Sequence, residues 1–148
     1  MSKLCLKNNC GTIIIGKNDS WKQGMNLGKK TNQNFQYIPF CRLIEKINYK
    51  AELFGIKIVL TEESYTSKAS FLDRDTLPKY EQGVKHVFSG KRVKRGLYCA
   101  SDGRLINSDV NGSCNIGRKV IQNEEVILGL DRSVAATPVR VNPLRIST

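Results

Sequence analysis

The chain is organised around Ser108-Asp109-Val110-Asn111-Gly112-Ser113-Cys114-Asn115-Ile116. It is polar at its start and runs into Gly117-Arg118-Lys119-Val120-Ile121, which predicts a helix over about residues 109–121. Asp109 stands where a side chain either caps the first turn or sits within it, and the positive end of the helix dipole favours a carboxylate there. Such a carboxylate, at the edge of a sheet, is also a hard oxygen ligand for a divalent cation. Asp109 is therefore a candidate metal-binding residue. Asn111 and Asn115 follow it with small residues between, an unusual way to begin a helix.

A chain of 148 residues suits one domain, or one domain with a tail, and is long enough to bury a core. Its 24 Lys and Arg against 13 Asp and Glu leave a net charge of +11. That surplus favours a polyanionic partner, of which nucleic acid is the commonest. The five cysteines are Cys5, Cys10, Cys41, Cys99 and Cys114, and no two have the C-x2-C spacing of a zinc site. The first residues lack a secretory pattern and no apolar run approaches a membrane span. A cytoplasmic protein with reduced thiols, and no membrane partner, is expected.

Upstream of the opening stretch, residues 96–100 and 104–107 read as two short strands about the turn Ser101-Asp102-Gly103, since Asp-Gly is a strong hairpin signal. Residues 85–95 are the densest basic segment, with Lys85, Lys91, Arg92, Lys94 and Arg95, and with His86 and Phe88 among them. They read as a strip that tracks phosphates or as a solvated charged hairpin. His86 is the only histidine and has no partner motif. Residues 64–83, with Pro78, read as an irregular excursion.

Nearer the amino terminus, Gly11-Thr12-Ile13-Ile14-Ile15-Gly16 is a continuous β-branched run, the pattern of a strand buried on both faces. A polar loop over 17–36 follows, in which Trp21 either stacks on a base or packs on the domain's edge. Residues 39–54 predict a helix. Phe40, Leu43, Ile44, Ile47, Ala51 and Phe54 form one apolar stripe read as core, and Gly55 is the stop. Residues 56–61 are a second strand, and strand, loop, helix and strand in this order make a crossover unit. Glu62 and Glu63 fall at that strand's carboxyl end, where open α/β sheets place their sites. The fold class is therefore α/β. Residues 122–148 read as a tail with a strand at Val139-Arg140-Val141.

Ile15-Gly16-Lys17-Asn18, Trp21-Lys22-Gln23, Asn26-Leu27-Gly28-Lys29 and 49–56 (Tyr-Lys-Ala-Glu-Leu-Phe-Gly-Ile) are followed by three longer motifs. These are 61–68 (Thr-Glu-Glu-Ser-Tyr-Thr-Ser-Lys), 90–97 (Gly-Lys-Arg-Val-Lys-Arg-Gly-Leu) and 108–116. In this order they resemble the carboxyl-terminal part of the OrfB/TnpB-type proteins of bacterial insertion sequences, transposase-associated relatives of the type V CRISPR effectors. The resemblance runs from about residue 10 to about residue 121. It implies an RNA-guided DNA endonuclease with an RNase H-like (RuvC-like) domain, in which three carboxylates hold two Mg2+ ions. Asp109 matches the third of those carboxylates. The first belongs to a strand upstream of the matched region. The second, a Glu, ends the strand matched by residues 12–16, where this chain has Ile15-Gly16-Lys17. Glu62 and Glu63 on the neighbouring strand are expected to take its place, as catalytic and Mg2+-binding residues with Asp109.

The family's zinc ribbon falls between the Thr-Ser motif and the last Asp. Its four cysteine positions are taken here by Ser70, Asp73, Cys99 and Asp102, so no zinc is expected. A small apolar cluster of Phe71, Leu72, Phe88, Leu97 and Tyr98 is expected to hold that insert instead. The organisation expected is a partial RuvC-like core over 1–63, a degenerate zinc-ribbon-like insert over 64–107, a closing helix over 108–122 and a tail over 123–148. The resemblance leads to the expectation of an incomplete RNase H-like domain that binds DNA, with or without guide RNA, that does not cleave alone, and that is either complemented by an upstream-encoded half of the nuclease or left incomplete. The other reading is a non-catalytic nucleic-acid-binding protein or the remnant of a truncated transposase gene.

Overall fold

The β-branched run after Gly11 forms β1 (Thr12–Lys17) in a computed structural model that describes residues 2–18 and 40–121, with 123, 125–127 and 129. Trp21 and the strand expected at 139–141 lie outside the described residues. The chain divides into two compact units, Met1–Glu63 and Ser64–Thr148.

In the first unit, helix α1 (Ser2–Lys7) precedes β1, helix α2 (Phe40–Glu52) follows, and β2 (Lys57–Glu62) completes the crossover. β1 and β2 pair in parallel, with Thr12 opposite Lys57 and Lys17 opposite Glu62. Gly55 ends α2 at φ +66°, a conformation that costs glycine little. There the Ile56 N–H donates to the Ala51 carbonyl at 3.0 Å and the Gly55 N–H to the Glu52 carbonyl at 3.1 Å, a Schellman closure. Cys5, Ala51 and Ile56 are buried together, with Ile13 and Ile58 packed against them. Helix α1 had no signal of its own in the periodicity.

Two expectations are corrected here. β1 is half-buried rather than covered on both faces, because β2 is its one partner among the described residues. The apolar stripe of α2 is core only at its end: Ala51 is buried, whereas Leu43 and Phe54 are each 49% exposed. Apolar periodicity shows which face can be buried, and the facing surface decides how much of it is.

The second unit is a three-stranded antiparallel sheet and a helix. Strands β3 (Lys91–Lys94), β4 (Leu97–Cys99) and β5 (Leu105–Asn107) stand in that order, with β4 central. The β4–β5 turn is the one read from Asp-Gly. Gly103 has φ +85°, and the Ala100 N–H donates to the Arg104 carbonyl at 2.9 Å. β5 runs directly into α3 (Ser108–Arg118). The N-cap is Asn107, not Asp109. The Asn107 Oδ1 accepts from the Asp109 N–H at 2.9 Å and the Val110 N–H at 3.2 Å, which leaves Asp109 in the first turn.

The core of this unit is Phe71, Tyr98, Ile106 and Cys114, with Leu72, Val110 and Ile127 around it. Phe88 and Leu97 of the expected cluster are outside it, and α3 contributes where only the insert was expected to. The Tyr98 hydroxyl donates to the Lys68 carbonyl at 2.7 Å. Gly90 lies against the same ring, and a Cβ there would come within 2.5 Å of Tyr98 Cε1 and 2.6 Å of the Cys99 carbonyl.

Asn111 and Asn115 are fully buried and one turn apart on α3, so their amides share a face. Asn111 Nδ2 donates to the Ala69 carbonyl at 2.8 Å, and its Oδ1 accepts from the Phe71 N–H at 2.9 Å. Asn115 Nδ2 donates to the carbonyls of Ala69 at 2.8 Å and Thr66 at 3.0 Å. These bonds fix the irregular segment 66–71, which has no ladder of its own. Asn111→Ala leaves the buried Phe71 N–H unpaired and is expected to destabilise this unit by about 3 kcal/mol. Chemical denaturation measures the loss, and faster hydrogen exchange at the Phe71 amide locates it.

Candidate functional site

Asp109 is exposed, and its backbone is pinned at both ends of the first turn. Its N–H is capped by Asn107, and its carbonyl accepts from the Ser113 hydroxyl at 2.8 Å. Its carboxylate has no hydrogen bond or ion pair among the described residues. Buried Ser108 and Asn111 flank it, so the helix start has little freedom to move.

Glu62 is the last residue of β2 and half-buried, in register with Lys17 of β1, and Glu63 follows it. Both belong to the Met1–Glu63 unit and Asp109 to the other. Among the described residues no three His, Cys, Asp or Glu side chains gather in a way that holds a metal ion. Asp109 suits a hard cation as a single oxygen ligand. One carboxylate by itself does not make a two-metal site.

The basic strip is an edge. Lys91, Arg92, Val93 and Lys94 make up β3, all exposed, and Lys85 and Arg95 are exposed beside it. Arg92 pairs with Tyr98 and Lys94 with Leu97, with a register shift between them. The turn closes at Gly96, φ +75°. None of these cations has an ion pair among the described residues. A charged, bulged edge also resists pairing with another sheet.

The four positions matched to the family's cysteines have other partners. The buried Ser70 hydroxyl accepts from the Asp73 N–H at 3.2 Å. The Asp73 carboxylate accepts from the Ser101 N–H at 3.0 Å and the Ser101 hydroxyl at 2.5 Å. The Cys99 thiol donates to the Ala100 carbonyl at 3.4 Å. Asp102 takes the Arg104 N–H at 3.0 Å and its Nε at 2.6 Å. A second carboxylate, Asp75, accepts from the Ser70 N–H at 2.8 Å, the Ser89 N–H at 3.0 Å and the Ser89 hydroxyl at 2.5 Å. Segments 70–75, 89 and 99–104 are thus tied by carboxylates to serines.

Electrostatics follow this arrangement. Burial raises the Asp73 pKa, but bonds from Ser101 and Ser70 and the charge of Arg104 outweigh it and hold the carboxyl below its usual range. Asp102 is lowered by the Arg104 backbone and side chain. Burial, with Asp75 and Asp73 nearby, pushes the Tyr98 hydroxyl up to about 12, so it stays a neutral donor. Burial and then Arg74 lower the Arg118 pKa, against the pull of Asp75. Sequence reading did not find the roles of Asn107, Asn111, Asn115, Asp75 or Ser101. The Asn spacing along one helix face was the available signal for the middle pair.

Residues 40–116, just over half of the chain, match the model of the Cas12f1-like TNB domain. The CRISPR-associated endodeoxyribonuclease Cas12f2 of a Micrarchaeota archaeon is 34% identical over 91 residues, 62% of this chain and 16% of that protein. The CRISPR-associated endodeoxyribonuclease Cas12f1 of Sulfoacidibacillus thermotolerans is 28% identical over 114 residues, 76% of this chain and 23% of that protein. The chain therefore spans less than a quarter of the length of either relative.

A lowered carboxyl pKa stabilises the folded state above the unfolded pKa, about 3.9 for Asp, and that contribution is lost as pH falls through the lowered folded value. The second unit is expected to lose stability as pH drops below about 4. Asp73→Asn lowers stability at neutral pH and flattens that part of the profile; denaturation midpoints across the acid range measure both.

Proposed function

Because the chain belongs to the Cas12f1-like TNB-domain family, a TnpB/Cas12-related family, we propose that it is the carboxyl-terminal, RuvC-like portion of an RNA-guided DNA endonuclease. In this reading residues 1–63 are part of an RNase H-like core, 64–107 an insert derived from a zinc ribbon, 108–122 the closing helix and 123–148 a tail. The parallel β1–β2 pair with its α2 crossover supports the first assignment. Both relatives are CRISPR-associated endodeoxyribonucleases, which supports DNA as the substrate.

The observation that carries the proposal is Asp109, an exposed carboxylate with no hydrogen bond or ion pair among the described residues, on a helix start held by Asn107, Asn111 and Asn115. It is the family's last acidic ligand for Mg2+. Glu62 or Glu63 supplies a second acid, and a third comes from an upstream-encoded portion of the nuclease. The bound metal pair would activate a water and stabilise the leaving oxygen of a phosphodiester. The protein's own part is to hold the Asp109 carboxylate in place and to bind the nucleic acid through Lys85, Lys91, Arg92, Lys94 and Arg95.

A second reading, a nucleic-acid-binding protein without catalysis, is favoured by the exposed basic edge β3, which needs no metal to work.

The 148-residue chain is expected to bind DNA with an affinity that falls steeply with salt. Replacing Lys91, Arg92, Lys94 and Arg95 with Gln weakens binding to all sequences and reduces the salt slope by about 1 for each phosphate no longer neutralised. The chain alone is expected to show no Mg2+-dependent cleavage. In the complemented nuclease Asp109→Asn abolishes cleavage, and unchanged cleavage in Glu62→Gln and Glu63→Gln would remove both glutamates from the site. Separately, metal analysis is expected to find no zinc, since Ser70, Asp73 and Asp102 replace three of four thiols; one zinc per chain would overturn that.

A further inference from the structure

Tyr65, His86 and Phe88 form a ring cluster that the core of the second unit does not include. The Tyr65 and His86 rings meet edge to face, 4.9 Å between centroids. Phe88 lies 5.8 Å from Tyr65 and 6.5 Å from His86. All three residues are half-buried, and Val87 between the last two is 96% exposed. His86 Nε2 is buried and makes no hydrogen bond.

Tyr65 has φ +61°, a left-handed conformation that a bulky residue adopts only when its surroundings impose it. Its carbonyl accepts from the N–H groups of Lys68 and Ala69, both at 2.9 Å. The next residue, Thr66, is buried with its carbonyl on Asn115. The ring is therefore set from the helix that carries Asp109. Cations flank the cluster in the chain: Lys68 and Lys85 are exposed, and the unpaired cations of β3 begin three residues after Phe88.

We propose that Tyr65, His86 and Phe88 are a stacking platform for an unpaired base of single-stranded nucleic acid whose phosphates run along Lys85 and β3. The site rests on the nucleic-acid reading of that strip. Stacking on a side chain needs a free base face, which a duplex interior does not offer, and it tolerates any base.

The test compares binding of one oligonucleotide, single-stranded and as a duplex, to the full chain across a salt series. Two variants remove rings while sparing the fold. Tyr65→Gly accepts the same φ without strain, and Phe88→Leu keeps apolar volume. Each is expected to weaken single-strand binding about tenfold and leave duplex binding and the salt slope unchanged. Photocrosslinking of 5-iodouracil in the single strand is expected to label Tyr65, His86 or Phe88. Salt-dependent binding that neither variant alters, with labelling elsewhere, overturns the platform and leaves the basic strip standing. No salt-dependent binding by the wild-type chain overturns the strip reading and the platform with it.

Discussion

Two buried amides on α3 hold the second unit together. The Ala69 carbonyl accepts from both Asn111 and Asn115, and the Phe71 N–H returns a bond to Asn111. A helix and an irregular segment more than forty residues apart in sequence are joined by groups that must be satisfied because no water reaches them. Most of the rest follows from that join. Phe71 enters the core beside Tyr98, Tyr98 reaches the Lys68 carbonyl, and Gly90 must stay without a Cβ because the Tyr98 ring occupies its space. Hydrophobic burial alone would not specify this register. Four buried side chains make a small core, and the amide geometry selects one arrangement of it.

Carboxylates do similar work nearer the surface. Asp73 bridges to Ser101, and Asp75 bridges Ser70 to Ser89. Each carboxylate accepts N–H and O–H donors, so each charge is stabilised where it stands and its segments are cross-linked. Such links differ from a metal centre in consequence. They depend on carboxylates rather than on a bound ion, and the Asp73 link weakens in acid rather than under a chelator.

The same helix connects structure to the proposed function. Asn107 caps it, Asn111 and Asn115 lock one face, and Asp109 is left on the exposed side of its first turn. A ligand or catalytic carboxylate has to be held in position before its partners arrive, and a capped, clamped helix start does that better than a loop. The positive edge strand and the ring cluster belong to the same unit, so the features that would bind nucleic acid and the candidate acid share one scaffold.

The sequence carried the strand–helix–strand order of the first unit after residue 11, the α/β class, the Asp-Gly hairpin, the basic segment and Asp109 as the candidate acid, but not helix α1. Each of these rests on local chemistry: β-branched runs, helical periodicity, a turn dipeptide, charge density and a polar helix start. It also carried the family motifs, of which residues 40–116 proved sufficient to show the family. It did not show that the two Asn of the opening motif grip the backbone of residues 66–71, that Asn107 rather than Asp109 is the cap, or that Phe88 leaves the core for Tyr65 and His86. Nor did it show that Leu43 and Phe54 of the apolar stripe are exposed. Those were decided by tertiary structure, because a buried amide's partners and a ring's neighbours are set by segments distant in sequence, and no local pattern encodes which of them will meet.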